Sequence, residues 1–329
     1  MARIRREIEV PRDWETFAWS GFRVRVPRDW TPAALTGNED DGYFRLDGPD
    51  QPRLEVKWAS SRGFVDVEKV VARYLNSMRK GRAGQEVQVD ERPALRMKLG
   101  KERSSLRFFG WRSDQEALGA AWFCRDCGRT TLVQVLGPPG SDVVTLAEQI
   151  LTTLEDHTTG PWVNWALYGF RCQVPAGFKL VGQELLTGLL RLNFEHGREK
   201  LAIVRWGLAD VALQGTDLES FLYDKNKKNW RHFRLKTDVA DVHGHEGALA
   251  LSGISAMPFA HMAGVALRLI GRRWANNLRG AAWLCEPTNK IYHVEAVVDP
   301  SDEGMVAEVI DRIHCHEGRA ATSWEDQAS

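Results

Sequence analysis

Apolar and charged residues alternate over residues 22–26: Phe22, Val24 and Val26 face one way, Arg23 and Arg25 the other. That period of two marks a half-buried strand. Pro27, which cannot donate to a ladder, ends it. Residues 43–46 and 53–58 read as the next two strands, with Asp47-Gly-Pro-Asp-Gln-Pro52 as the turn. The period then lengthens. Val67, Val70, Val71, Tyr74, Leu75 and Met78 fall at i, i+3, i+4, i+7, i+8 and i+11, which predicts an amphipathic helix over 66–80. Asp66 is its N-cap, and Arg79 and Lys80 suit its C-terminal end. Residues 86–135 are extended again. Val143, Leu146, Ile150 and Leu154 then share one face of a helix over 142–154.

The pattern is written twice. Gly119-Ala-Ala-Trp-Phe-Cys124 returns as Gly280-Ala-Ala-Trp-Leu-Cys285, with five of six residues identical, 161 positions later. Gly21-Phe-Arg-Val-Arg-Val-Pro27 is echoed by Gly169-Phe-Arg-Cys-Gln-Val-Pro175, Val56-Lys-Trp58 by Val204-Arg-Trp206, and Trp14 by Trp162. Thr216-Asp-Leu-Glu219 opens the second copy's first helix as a capping box, and residues 302–313 match the final helix. A period of about 150 residues is one whole domain. The expectation is α+β: two tandem duplicated domains, 14–157 and 162–316, each an antiparallel sheet packed with helices as an α/β/α sandwich. Residues 157–160 read as the linker and 317–329 as a flexible polar tail.

Composition narrows the classes. Lys plus Arg and Asp plus Glu both number 44, so the formal charge is zero, which argues against charge-driven binding of nucleic acid. No run approaches the ~20 apolar residues of a membrane helix. Met1-Ala-Arg-Ile-Arg-Arg-Glu7 has no apolar stretch behind its charges, so it does not read as a signal peptide. Five cysteines, an odd number, fit a reducing cytoplasm better than a disulfide scaffold. Thirteen tryptophans are many, and Trp58, Trp122, Trp206 and Trp283 recur at equivalent positions, as core residues do.

Candidate chemistry is sparse. Cys124-Arg-Asp-Cys127-Gly is half of a zinc knuckle, but tetrahedral zinc needs two more ligands and no second Cys-x-x-Cys exists. Cys285 stands where Cys124 does, while Thr288 replaces Cys127. A hairpin turn with ordinary thiols is favoured over a metal site or a redox pair. His243 and His245 would share a side of an extended turn. His314 and His316 would diverge on a helix end, and solvated histidines are the favoured reading for all four. No metal or cofactor is expected. No phosphate loop, dinucleotide fingerprint or nucleophile elbow is present. The segment 225–234, with Lys227, Lys228, Trp230 and Arg231, interleaves basic and aromatic residues. The second copy's insertion, 253–264, carries Met257, Phe259 and Met262 with no charge, as a buried interdomain loop or an adaptable contact surface would.

Gly-Phe-Arg-Val-Arg-Val-Pro-Arg-Asp-Trp at 21–30, followed by strands, a helix, a turn-and-strand pair and a last helix, resembles the PsbP-like superfamily, which includes PsbP, a Ran-binding nuclear factor and DcrB. Val242-His-Gly-His-Glu-Gly247 is similar to that family's glycine-centred turn, and residues 91–94 of the first copy depart from it. The resemblance implies an α/β sandwich that docks other proteins, without catalytic residues to carry over. The expectation is therefore a non-enzymatic, cytoplasmic protein-binding or adaptor protein, built as an intramolecular pseudo-dimer. Met257, Phe259, Met262, Lys227, Lys228, Trp230 and Arg231 would touch a partner protein whose identity the sequence does not give. The alternative is a metal- or thiol-dependent enzyme using Cys and His groups near an interdomain cleft. Oligomeric state is not legible.

Overall fold

The computed structural model describes residues 8–256 and 275–316, apart from 64, 82–85, 92, 94, 96 and 98. The chain divides into two compact units, Met1–Gly169 and Phe170–Ser329. The first holds β1 (Glu15–Trp19), β2 (Phe22–Val26), β3 (Thr31–Gly37), β4 (Asp41–Asp47), β5 (Pro52–Ser60), α1 (Val67–Gly81), β6 (Gln88–Asp90), β7 (Arg103–Arg112), β8 (Glu116–Cys124), β9 (Arg129–Gly137), α2 (Val143–Thr153) and β10 (Trp162–Leu167). The second holds β11 (Phe170–Pro175), β12 (Lys179–Leu186), β13 (Leu189–His196), β14 (Glu199–Gly207), α3 (Ala209–Ala212), α4 (Leu218–Trp230), β15 (Phe233–Val242), β16 (His245–Ser255), β17 (Asn277–Cys285), β18 (Lys290–Val298) and α5 (Glu303–Asp311).

In the first unit seven antiparallel strands run in the order β3-β4-β5-β9-β8-β7-β6. The chain builds three strands inward from one edge. It then crosses through α1 to the other edge and returns to the middle, where β5 meets β9 with Trp58 opposite Thr131. Successive side chains of a strand point to opposite faces. One face carries Phe109, Ala117, Ala121, Leu132 and Leu136 and packs against Val67, Val71 and Leu75 of α1. The other buries Ala120, Trp122, Val133 and Val135. Phe22 of β2 lies over Phe44 and Trp58 on this unit's sheet, with ring centroids 5.8 and 4.9 Å away. The layer opposite α1 is therefore shared by β1, β2 and α2, where an α/β/α sandwich would have helix alone. Two strands escape the period-two reading. β1 abuts a turn at Ser20 and Gly21, and β3 is an edge strand with no buried residue, so neither has a full alternation to show. β10 pairs with β1, Ala18 opposite Ala166, and falls within the first unit.

The second unit's sheet runs β12-β13-β14-β18-β17-β16-β15, the same order. Leu222 and Trp230 of α4 pack with Trp206, Leu249, Leu251, Ala282 and Ile291 on one face. α4 starts one residue later than the expected capping box: Asp217, not Thr216, caps it, accepting from the Ser220 N–H at 2.7 Å. Glu219 instead accepts from the Thr237 hydroxyl on β15.

His293 is fully buried in that core, stacked on Trp206 and edge-on to Trp230, with both centroids 6.1 Å away. Burial holds its pKa below the ordinary histidine value, against the pull of Glu295 at 3.7 Å and with a push from Arg191. The unfolded chain then binds the extra proton first. Stability contributed by neutral His293 is present above about pH 6.5 and falls as pH drops from there towards the folded-state pKa. Denaturant melts between pH 8 and 5 should show this decline, and His293→Phe should flatten it. An unchanged slope in that variant would remove His293 from the account.

Candidate cysteine and histidine centres

Each sheet ends in a cluster of thiols and imidazoles. In the first unit, buried Cys124 closes β8, and Cys127 sits in the turn that follows, where Gly128 N–H returns to the Cys124 carbonyl at 3.0 Å. Past α2 the chain comes back to the sheet. Arg23 and Glu155 form an isolated bridge, with backbone bonds of 3.1 and 2.8 Å. This sets Asp156 and His157 beside the two thiols. Asp156 is buried at 2% exposure. It accepts from the Trp122 indole N–H at 2.6 Å and lies 2.8 Å from His157 Nδ1, and the Arg129 guanidinium donates to its carbonyl. Cys124 Sγ is 3.5 Å from His157 Nδ1. One donor atom from each of Cys124, Cys127, Asp156 and His157 lies within 4.8 Å of the others.

These groups share protons. Burial pushes the Cys124 thiol up to about 12. Burial also pushes Cys127 up, but hydrogen bonds from His157 and Arg129 outweigh it and bring that thiol down to about 7. Hydrogen bonds to Asp156 and Cys127 raise His157 to about 10. The result is a thiolate beside an imidazolium backed by a carboxylate, which is also how a nucleophilic cysteine is activated.

In the second unit the cluster is His245, Cys285, Cys315 and His316, with donor atoms again within 4.8 Å of one another. Cys285 closes β17 as Cys124 closes β8. Arg171 and His314 form the bridge that brings the chain back after α5, with His314 N–H on the Arg171 carbonyl at 3.0 Å. His245 Nε2 is 3.3 Å from Cys315 Sγ, and His316 Nδ1 is 3.4 Å from Cys285 Sγ and 3.2 Å from Cys315 Sγ. Tyr292 fixes the segment by donating its hydroxyl to the Cys315 carbonyl at 3.3 Å.

Several expected residues fall elsewhere. His243 and His245 both turn towards α5 and the segment after it, but only one of them reaches the cluster. His243 takes a left-handed backbone, φ 62°, and its Nε2 meets the Ile310 carbonyl at 2.7 Å, leaving only His245 in the cluster. Trp230, expected on a contact surface, is 3% exposed and donates to Glu295 at 2.7 Å, because it continues the inward face of Leu222 and Asn226 four residues at a time. Lys227, Lys228 and Arg231 are exposed as expected. Met257, Phe259 and Met262 lie outside the described residues. Asp156 and His157 were missed, since 157–160 reads as a linker. Setting Glu155-Asp-His157 against His314-Cys-His316 after the matched helices is the signal that finds them.

A groove of 470 Å³ lies beside the C-terminal end of α4, over the second unit's sheet. Ala202, Leu278 and Val297 line it with Asn193, Lys200 and His232. Among the described residues, no helix is long and apolar enough to cross a membrane.

No family model and no curated protein matches this chain. Solved structures with some likeness include the immunity protein TplEi of the T6SS from Pseudomonas aeruginosa with a peptide, at 9% identity over 92% of this chain and 98% of that one, TM-score 0.30. The Pseudomonas aeruginosa MucA/MucB complex aligns at 11% identity over 92% of both chains, TM-score 0.19. At such scores the likeness carries no argument about fold or function.

Proposed function

We propose that this chain is a non-enzymatic protein-binding protein, made of two copies of one PsbP-like domain. Support for the duplication comes from the shared strand order and from the register of one strand pair. Trp122 lies opposite Thr131 as Trp283 lies opposite Tyr292, on the same strand of each sheet. Trp58 and Trp206 do not correspond as the sequence suggests: Trp58 lies opposite Thr131, but Arg205, not Trp206, lies opposite Tyr292, so Trp206 turns to the α4 face. The observation that carries the binding reading is the groove beside α4. It combines an apolar floor with mixed charge, Arg191, Glu195 and Lys200, and is bordered at the end of α4 by Asn229 and His232. That is the make-up of a docking surface for a polypeptide segment, in which apolar contact gives affinity and charge gives register. A second reading, a thiol-dependent enzyme, is favoured by the low-pKa Cys127 beside His157.

The test is to fill the groove. Ala202→Arg places a long cation on its floor. The tagged variant should capture a bound protein at least about tenfold less than the unaltered chain does, a loss of ~1.4 kcal/mol, with its melting temperature held. Equal capture by both chains, or no protein enriched by either, overturns the reading.

A further inference from the structure

We propose that each unit carries a structural zinc site: His245, Cys285, Cys315 and His316 in the second, and Cys124, Cys127, Asp156 and His157 in the first. The second cluster has the cleaner geometry. Zinc bonds of ~2.3 Å to sulfur and ~2.0–2.1 Å to nitrogen place tetrahedral donors about 3.3–3.8 Å apart. The three thiol–imidazole separations of 3.2, 3.3 and 3.4 Å need shifts of only a few tenths of an ångström to reach that range. Hydrogen bonding explains them less well. Cys315 Sγ is approached by two imidazole nitrogens, and His316 Nδ1 by two sulfurs. A thiol can donate one hydrogen and accept another, which would serve Cys315 Sγ, but a ring nitrogen has one lone pair or one hydrogen, so His316 Nδ1 cannot serve both sulfurs. One cation satisfies all four atoms together.

The donors come from three places that need joining: the start of β16, the end of β17 and the segment after α5. With four protein donors no position is left for a substrate, so the role is structural. Two soft thiolates with two imidazoles select zinc over magnesium or calcium, which take oxygen.

The first unit repeats the plan with different residues. Cys124 corresponds to Cys285 at the strand end, and Asp156 and His157 to Cys315 and His316 after the bridge. The fourth donor differs: Cys127 comes from the turn after β8, and His245 from the start of β16. Two routes to a complete set of four, at one place in the fold, are what a retained ligand leaves behind. The correspondence rests on the duplicated-domain reading; the donor geometry of the second unit stands without it, and neither depends on partner binding.

The test uses the full chain, purified with reductant and without added metal, and analysed for zinc and for cobalt(II) uptake. Two equivalents of zinc per chain are expected. Cobalt should show thiolate charge-transfer and tetrahedral d–d bands. Cys285→Ser should lose one equivalent and Cys127→Ser the other. Should either variant fail to fold, chelator treatment of the unaltered chain replaces it: the melting temperature should fall and recover with zinc. Cobalt spectra lacking thiolate bands, intact masses showing disulfides in the reduced preparation, or a melting temperature indifferent to chelator would each overturn the proposal. One equivalent lost with Cys285→Ser and untouched by Cys127→Ser would overturn it for the first unit. Rapid alkylation of Cys127 in zinc-loaded protein would do the same and favour the thiol enzyme.

Discussion

Trp122→Ala is expected to be the most damaging single change in the first unit, costing about 3–5 kcal/mol. The ring is fully buried, with the Arg103 guanidinium 4.6 Å from its centroid. Its removal leaves a large cavity that strands held by ladder bonds on both sides cannot collapse into. It also takes the indole donor from Asp156, a carboxylate that is itself buried. Trp122→Phe separates the terms. It keeps most of the ring and loses the donor, so its cost should be about 1–3 kcal/mol, that of an unmet buried acceptor. Denaturant unfolding of both variants checks this. A Phe variant as stable as the parent would show that Asp156 does not need the indole.

The second large effect is steric. By propensity alone, Gly280→Ala should stabilise β17 by roughly 0.5–1 kcal/mol, because glycine in a strand loses more entropy on folding. The structure predicts the opposite sign. A Cβ at 280 would lie 2.2 Å from the Val294 carbonyl oxygen and 3.0 Å from the Glu295 Cα. Both are backbone atoms of the paired β18, so no rotamer change relieves the clash and the strands must part. Overpacking of this kind costs about 1–3 kcal/mol. At Gly119 the equivalent Cβ would lie 2.4 Å from the Val133 carbonyl. Gly119→Ala should therefore behave alike, and thermal melts that place either variant above the parent would show the strands to be more yielding than this.

This clash explains why Gly-Ala-Ala-Trp was the most legible phrase in the sequence. Small residues let β8 and β17 approach their neighbours, and a tryptophan fills what lies beyond. The amphipathic helix over 66–80 was equally legible, because α1 buries Val67, Val71 and Leu75 against the sheet. The edge strand β3 was not, having no buried face to impose an alternation. The clusters were hidden for another reason. Cys124 and His157 stand 33 positions apart, Cys285 and His316 31. They meet only because Arg23 and Arg171 draw the chain back after the last helix of each unit, and no local period records that return. Trp230 misled because its basic neighbours suggested a surface, whereas its spacing from Leu222 and Asn226 pointed inward.

The strand order has a consequence for synthesis. In each unit the central pair of the sheet joins the third strand laid down to the last: β5 to β9 and β14 to β18. On the ribosome, residues 52–60 must wait with one edge open until residues 129–137 have emerged, and residues 199–207 until 290–298. Two outer ladders can zip locally beforehand, but the middle closes last, across the longest loop and at the greatest entropic cost. Until then each nascent unit is two half-sheets with an unpaired, apolar seam, which is where a neighbouring chain would find its easiest foothold.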